Sequence, residues 1–180
     1  MAGHRRVVRD AVLDATAALV AEHGLAVTMS QIAEQAGIGR ATLYRHFADV
    51  DAVLTAWHER QVARHLQQLA DVGECADNAG ERLEAVLAAY AALSRHPHGS
   101  EAAARLHRGA HIAAAHARLR AFIAELAAEA ARAGAVRADV PPEELADYAL
   151  GALSAAGGAA SDAAVRRLVE LTVAGVRPPR

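Results

Sequence analysis

Polar side chains that could contact nucleic acid are concentrated in the stretch 40–47, RATLYRHF. Near the start of a helix, Arg40 and Thr42 could reach the edges of bases in the DNA major groove. The hydroxyl and imidazole groups of Thr42, Tyr44 and His46 are suited to phosphate oxygens. The candidate DNA-contacting residues are Thr28, Arg40, Ala41, Thr42, Tyr44 and His46, with Arg5 and Arg6 near the N terminus.

Five histidines form a second group with possible chemistry, at positions 96, 98, 107, 111 and 116. His107 and His111 are spaced i, i+4, so one helix could present both imidazoles to a metal ion. His116 would lie about half a turn away from that face. No cysteine belongs to the group, and Glu101 is its nearest carboxylate. We therefore predict no metal site and keep metal sensing as the alternative. His107 or His111 could instead hydrogen-bond an organic effector or titrate near neutral pH.

The sequence shows no pairing of a nucleophile with a base. The serines are scattered, at positions 30, 94, 100, 154 and 161. Cys75 is the only cysteine, which excludes an intramolecular disulfide. Its acidic neighbours Glu74 and Asp77 disfavour a reactive thiolate, so a surface cysteine is expected rather than a redox sensor. We predict no catalytic residues and no cofactor.

Two short helices joined by a glycine turn are predicted to carry the polar residues at 28–47. Thr28 and Gln31 can form a capping box, in which each side chain bonds the backbone of the other residue. Gly37 stands where the chain must take the left-handed conformation after the first helix. In the second helix Leu43 and Phe47 are spaced i, i+4 and face inward together. Such a pair is typical of the helix-turn-helix unit that reads DNA.

Helical periodicity continues through the rest of the chain. A first helix is marked by Val8, Val12, Ala15 and Leu19. Further helices are predicted at about 51–70, 81–94, 100–109 and 111–133, and two more begin near 142 and 162. The polar stretch 71–80 is predicted to be a linker. No stretch alternates as a strand does, so the predicted fold is all-α with about nine helices.

Residues 8–54 resemble the DNA-binding domain of the TetR-type (TetR/AcrR) transcriptional regulators. The resemblance rests on LVAEHG at 19–24, on the pattern T-x-x-x-I-A-x-x-A-G at 28–37, and on A-T-L-Y-x-H-F at 41–47. It implies an N-terminal DNA-binding domain at 1–48 and an effector-binding and dimerisation domain at 49–180. The DNA-binding helices would lie at about 5–23, 29–36 and 40–47, followed by a long fourth helix.

Two positions depart from the family pattern. Gly39 stands where the family usually has a serine that caps the recognition helix and touches a phosphate. Glycine caps almost as well, so the helix should form without that contact. Val50 stands where the family commonly has a lysine. The neighbouring Asp49 and Asp51 suit a helix N-terminus, but their negative charges would repel a nearby phosphate. We expect weaker or more selective DNA binding, carried by the polar residues of the recognition helix and the N-terminal arginines.

A second resemblance covers 133–148, AGAVRADVPPEELADY, which is similar to a G-x-[IVL]-R-x-D-x-[PS] connector of the same family. It implies that the last two helices, about 142–176, pair with a second subunit as a four-helix bundle. One apolar stripe consists of Leu145, Ala149, Ala152, Leu153 and Ala156, and the other of Val165, Leu168, Val169, Thr172 and Val176. Gly151, Ala155 and Gly158 would allow close approach. The alternative is that the stripes cover their own core.

The resemblance also implies a small-molecule effector, bound in a pocket enclosed by helices four to seven. The candidate ligand-binding residues are Trp57, Leu87, Tyr90, His107, His111 and Phe122, and Leu106, Ile112 and Leu126 are further candidate liners. Only 3% of residues are aromatic, which favours a small or aliphatic ligand over a large planar one. The alternative is that these residues are ordinary core.

Composition fits a globular protein, with 53% hydrophobic and 22% charged residues over 180 positions. The net charge of −2 excludes a generic binder of polyanions, and residues 1–47 carry five arginines against four carboxylates. The N-terminus lacks the apolar segment of a signal peptide, and no apolar run is long enough to cross a membrane. A cytoplasmic protein is expected.

The sequence thus predicts a dimeric, sequence-specific transcriptional regulator that binds a near-palindromic DNA operator. A repressor released by an effector is the preferred form. One alternative is an all-α ligand-binding or enzymatic protein whose helix-turn-helix is non-functional. A DNA-binding protein without an effector is the other.

Overall fold

The computed structural model describes residues 2–95 and 110–179, and these residues form helices without strands. The α-helices are α1 (Ala2–His23), α2 (Met29–Gln35), α3 (Arg40–His46), α4 (Val50–Glu74), α5 (Ala79–Arg95), α6 (Ala110–Arg132), α7 (Pro142–Ser154) and α8 (Asp162–Val176), with a 3₁₀ turn at Ala155–Gly158. The all-α prediction is confirmed for this part of the chain. The predicted helix at 100–109 lies outside the described residues. None of the described helices is long and apolar enough to cross a membrane.

The first of two compact units contains residues up to 63, which are α1, α2, α3 and the beginning of α4. Its core is a single apolar cluster because each helix turns its i, i+3 and i+4 positions inward. The fully buried side chains of the cluster are Val12, Ile32, Leu43 and Val53. Thr16 is also fully buried, and its hydroxyl donates to the carbonyl of Val12 at 2.8 Å, so this hydroxyl keeps a hydrogen bond inside the core.

Arg60 ties α4 to α1 within this unit. Its guanidinium lies 2.8 Å from a carboxylate oxygen of Asp14, and Nη1 donates to the backbone carbonyl of Asp10 at 3.4 Å. The Arg60 side chain is mostly buried while Asp14 is mostly exposed, so the arginine stem packs against apolar neighbours and only its end meets the charge. This contact joins α4 to α1 within the first unit.

The second unit contains residues 64–95 and 110–179, which are the end of α4 and α5 to α8. Its largest fully buried side chains are Leu69, Val86, Leu87, Ile123 and Leu153. Alanines fill the spaces between these larger residues, so the helices pack closely. Arg120 of α6 makes a bidentate ion pair with Asp147 of α7, at 2.6 and 2.8 Å. This pair reinforces the packing of α6 on α7.

The predicted linker at 71–80 is partly wrong, because α4 continues to Glu74 and α5 already begins at Ala79. Gly73 is helical, and α5 approaches it closely: a Cβ at this position would lie 3.2 Å from a methyl group of Val86. Asn78 caps α5 by accepting from the amide of Glu81 at 3.0 Å. The non-helical connection is therefore only 75–78. Cys75 is exposed, as expected.

The two apolar stripes assigned to a dimer contact lie mainly inside the chain's own core. On α7 and the 3₁₀ turn, the buried members are Leu145, Ala149, Leu153 and Ala156; on α8 they are Val165, Val169, Thr172 and Val176. The physical reason is that α7 needs an apolar face to pack against α5 and α6, and α8 needs one to pack against α5 and α7. These buried residues are therefore not available to a second copy of the chain.

Candidate nucleic-acid interface

The capping box at the start of α2 is present. The Gln31 amide donates to Thr28 Oγ1 at 3.3 Å, and the Thr28 amide donates to Gln31 Oε1 at 2.9 Å. The Thr28 hydroxyl itself donates to the same Gln31 oxygen at 2.8 Å. Thr28 is exposed, so it is accessible to DNA, but its hydroxyl is already used to order α2.

Gly37 forms the turn between α2 and α3 as predicted. Its φ of +65° is in the left-handed region, where glycine has no steric penalty. The amide of Gly37 donates to Glu34 and that of Ile38 donates to Ala33, both at 3.0 Å. These two bonds close the end of α2 in the Schellman manner and set the direction of α3.

α3 is the candidate recognition helix. It begins after Gly39, whose extended backbone (φ −69°, ψ 145°) caps the helix without a side-chain bond. Leu43 is fully buried and Phe47 nearly so, and they anchor the helix on the core of the first unit. The guanidinium of Arg9 lies 5.0 Å from the centre of the Phe47 ring, so a cation from α1 stands beside the end of α3.

The outward face of α3 consists of Arg40, Ala41, Tyr44 and Arg45, which are all exposed. Their spacing of i, i+1, i+4 and i+5 makes them neighbours on one side of the helix. Tyr44 is 48% exposed, so its phenol is accessible from solvent. Two arginines and a phenol on a short helix can donate hydrogen bonds to phosphates and base edges.

Two of the assigned residues lie beside the exposed face. Thr42 and His46 are half-buried and flank the packed side of the helix. Nη2 of Arg45 donates to the Thr42 hydroxyl at 3.2 Å, so these two residues act as a pair. Arg45 was missing from the predicted set, although its charge and its spacing from Arg40 and Ala41 could have identified it.

Arg5 and Arg6 are exposed on the first turns of α1. Because α1 begins at Ala2, these arginines belong to a helix and not to a free N-terminal arm. Their backbone positions are therefore fixed relative to the core that also holds α3. Phosphate contact by a helix-borne arginine costs less conformational entropy than contact by a free segment.

The acidic start of α4 has a structural role. Asp49 Oδ1 accepts from the amide of Ala52 at 2.8 Å and caps the helix. Val50 is half-buried and packs against the core of the first unit, and Asp51 is exposed in the first turn. The structure thus explains why two carboxylates stand here, since both favour the helix N-terminus.

Comparison with known families identifies the fold. Residues 12–56 match the model described as "Bacterial regulatory proteins, tetR family". Residues 78–178 match the model described as "Transcriptional regulator SbtR-like, C-terminal domain", which alone spans more than half of the chain. The chain belongs to the TetR family. It is therefore a DNA-binding transcriptional regulator, and its family consists of regulators rather than enzymes.

Solved structures share this TetR fold over nearly the whole chain. A TetR-family regulator from Pectobacterium atrosepticum is 23% identical with a TM-score of 0.77, covering 97% of this chain and 93% of its own. The fatty acid degradation regulator FadR from Bacillus halodurans is 19% identical with a TM-score of 0.73, covering 94% and 96%. AibR in complex with isovaleryl coenzyme A and operator DNA is 22% identical with a TM-score of 0.65, covering 96% and 100%. A comparison with curated protein sequences finds no match.

The residues assigned to an effector are distributed over both units of this TetR-family chain. Trp57 is buried in the core of the first unit, whereas Leu87, Tyr90 and Phe122 belong to the core of the second. His107 and the side chain of His111 lie outside the described residues, as do His96, His98, Leu106 and the side chain of Ile112. Within the described part, no three His, Cys, Asp or Glu side chains are grouped so that they could hold a metal ion.

Proposed function

We propose that this TetR-family regulator represses transcription by holding α3 in the major groove of an operator, and that a small aliphatic effector releases it. The exposed face of Arg40, Ala41, Tyr44 and Arg45 carries this proposal, because it joins donors to a rigid helix anchored by Leu43. A recognition helix of this kind reads bases from its N-terminal half and contacts phosphates from its flanks.

We assign base contact to the N-terminal half of α3 and backbone contact to its surroundings. Arg40 is placed to pair with a guanine edge, and Ala41 leaves room for close approach to a thymine methyl group. Tyr44 and the Thr42–Arg45 pair suit phosphate oxygens. The remaining proposed contacts, to phosphates, come from Thr28, His46, Arg5 and Arg6.

Dimerisation is proposed to use the outer faces of α7 and α8. Tyr148 is 47% exposed and Leu171 is 69% exposed, which leaves large apolar surface without a cover in the single chain. Tyr148 lies directly over Gly175 of α8, because no side chain separates the two helices there. Gly151, also exposed, permits a close approach by another helix. Two copies would place two α3 helices about one DNA turn apart.

The effector site is proposed to lie in the second unit and to involve Leu87, Tyr90 and Phe122. Phe122 and Tyr90 are half-buried against the core, so they can be reached by a ligand without unfolding it. The low aromatic content supports an aliphatic ligand, and AibR, a protein of the same fold, was solved with isovaleryl coenzyme A. The side chains of His107 and His111 remain candidates for hydrogen bonds to it.

Residues 1–48 are proposed to read DNA, and residues 49–180 to bind the effector and the second subunit. The chain would carry out no chemistry of its own, since both tasks are binding events. We also propose that it acts in the cytoplasm of a bacterium, because the family model it matches describes bacterial regulatory proteins.

A gel-shift assay with the promoter region beside its own gene tests this function. Specific binding should exceed binding to random DNA and should weaken steeply as salt rises, because counterions are released from the phosphates. Acyl-group effectors of short chain length should then dissociate the complex. Equal affinity for operator and random fragments would reject the regulator. Specific binding that no effector reverses would favour a DNA-binding protein without a ligand.

A further inference from the structure

The second unit contains a cavity of about 200 Å³ between the start of α5, the connector after α6 and the end of α8. Five apolar side chains form its walls, and each is more than nine-tenths buried: Leu83, Leu87, Val136, Val173 and Val176. An aliphatic group entering such a space removes apolar surface from water on both sides of the contact. The cavity is smaller than the roughly 300–1,000 Å³ of sites for drug-sized ligands, so it suits a short chain.

Two opposite charges stand at the opening of this cavity. Glu84 of α5 and Arg177, just after α8, are lining residues, and their side chains are 52% and 64% exposed. Their nearest oxygen and nitrogen are 3.9 Å apart, a long contact that contributes little when exposed to water. Each charged group can therefore turn toward a ligand at small cost.

Backbone contacts hold the walls in place. The amide of Arg137 donates to the carbonyl of Val176 at 2.9 Å, which fastens the connector to the end of α8. Gly80 approaches Ala135 so closely that an added Cβ would lie 2.8 Å from the alanine methyl group. The cavity is thus formed before a ligand arrives, and binding would not have to order a loop.

We propose that this cavity binds a branched aliphatic α-amino acid. The aliphatic side chain would occupy the apolar space, the carboxylate would meet Arg177, and the ammonium group would meet Glu84. A simple fatty acid fits less well, because its carboxylate would face Glu84 as well as Arg177. This inference goes beyond the repressor function, since nothing in it depends on operator DNA.

Calorimetric titration of the full-length protein without DNA tests the site. L-Leucine is the probe, with 4-methylpentanoate, which lacks the ammonium group, and 3-methylbutylamine, which lacks the carboxylate, as matched analogues. L-Leucine should bind, and each analogue should bind about tenfold more weakly, because each loses one charge-assisted hydrogen bond. Glycine, without the aliphatic side chain, should give no measurable heat.

Variants of the opening separate this site from general surface binding. Arg177→Gln and Glu84→Gln should each weaken L-leucine binding about tenfold, since each removes one charged partner. Arg166→Gln on α8 and Glu81→Gln on α5 are the controls. Both residues are exposed, neither lines the cavity, and neither substitution should change the affinity.

Val136→Phe should fill the cavity and abolish binding, with the helical circular dichroism of the parent retained. If that variant does not fold, the two charge variants still decide the matter. Absence of L-leucine binding at millimolar concentration overturns the proposal, and so does 4-methylpentanoate binding as tightly as L-leucine. A failed operator gel-shift would leave these measurements unaffected, so the amino-acid site and the repressor function are tested independently.

Discussion

At the scale of single residues, the side chains proposed to read DNA differ from those that anchor the recognition helix. Leu43 and Phe47 are buried and position α3, while Arg40, Tyr44 and Arg45 are exposed and make few contacts within the chain. Substitutions at the exposed positions should therefore change affinity for DNA without changing stability, because surface replacements usually alter the free energy of unfolding very little.

Arg40→Ala should lower affinity for the operator about tenfold and lower affinity for random DNA much less. The reason is that an arginine at a base edge contributes about 1–3 kcal/mol of discrimination. Arg45→Ala should weaken both kinds of DNA and reduce the salt dependence by about one counterion, as expected for a phosphate contact.

Fluorescence anisotropy across a salt series measures both effects. Arg118→Ala, which removes an exposed arginine of α6 in the second unit, is the matched control and should leave affinity unchanged. If Arg118→Ala and Arg40→Ala weaken binding equally, general charge and not α3 governs DNA contact.

At the scale of elements, the two glycines before α3 differ in whether their backbone conformation requires glycine. Gly37 has a φ of +65°, whereas Gly39 has a φ of −69° that any residue can adopt. A Cβ at either position meets nothing within 4 Å, so only the backbone conformation decides the effect of a substitution. Gly37→Ala should lower the free energy of unfolding by about 1–2 kcal/mol.

Gly39→Ser should do the reverse by a few tenths of a kcal/mol, since serine supplies the missing side-chain cap of α3. Urea unfolding at one protein concentration measures both changes. Gly39→Ser should also tighten operator binding through its new hydroxyl group. Equal destabilisation by the two variants would contradict this account.

Local sequence patterns predicted the positions of helices, caps and turns better than they predicted which surfaces those helices pack against. The capping box of Thr28 and Gln31 and the turn at Gly37 depend on residues within a few positions, and both are confirmed. The stripe containing Leu145 and Leu153 was assigned to a second subunit, yet these residues fill the chain's own core. Periodicity shows that a helix has an apolar face, but the sequence does not show what covers it.

The residues that line the cavity could not be grouped from the sequence either. Leu87 is a candidate for ligand contact, but the opposite walls of its cavity come from the connector and from the end of α8, far away in sequence. The exposed face of α3 was largely predicted because helical spacing alone determines it. Arg45 was missed there, and its hydrogen bond to Thr42 depends on side-chain conformations that no sequence pattern specifies.

The contact between α6 and α7 should depend on pH. The bidentate hydrogen bond from Arg120 lowers the pKa of Asp147 below its ordinary value of 3.8, with the attraction of the Arg120 charge as a smaller cause. A carboxyl group with a lowered pKa stabilises the folded state above its unfolded pKa and loses that contribution as pH falls through its folded pKa. The stabilisation should therefore be complete at neutral pH and decline below about pH 4.

Asp147→Asn keeps the shape and removes the charge, so it should reduce stability at pH 7 and show a smaller further loss on acidification. Urea unfolding midpoints from pH 7 down to pH 3 measure this difference. Glu125→Gln, at an exposed position of α6, should follow the pH dependence of the parent protein. If Asp147→Asn loses as much stability between pH 7 and pH 3 as the parent protein does, the ion pair contributes nothing to the pH dependence of stability.

At the scale of the whole molecule, DNA affinity is proposed to depend on two α3 helices binding together. One α3 helix contacts one half-site, and a second copy makes the second contact effectively intramolecular. The surface that joins the copies is proposed to include Leu171, the most exposed large apolar side chain in the described part of the chain. Oligomeric state and operator affinity should therefore change together.

Leu171→Asp should convert the dimer to a monomer, because a carboxylate would be buried without a partner at the contact. Operator affinity should fall by about a hundredfold or more, since the gain from linking two half-sites disappears. Affinity for an isolated half-site should stay the same, because α3 is untouched. Analytical ultracentrifugation and anisotropy measure the two effects on the same samples.

Val72→Asp places the same charge at an exposed apolar position of α4 and should remain dimeric. A dimeric Leu171→Asp protein would place the subunit contact elsewhere, and a monomer with full operator affinity would show that one reader suffices.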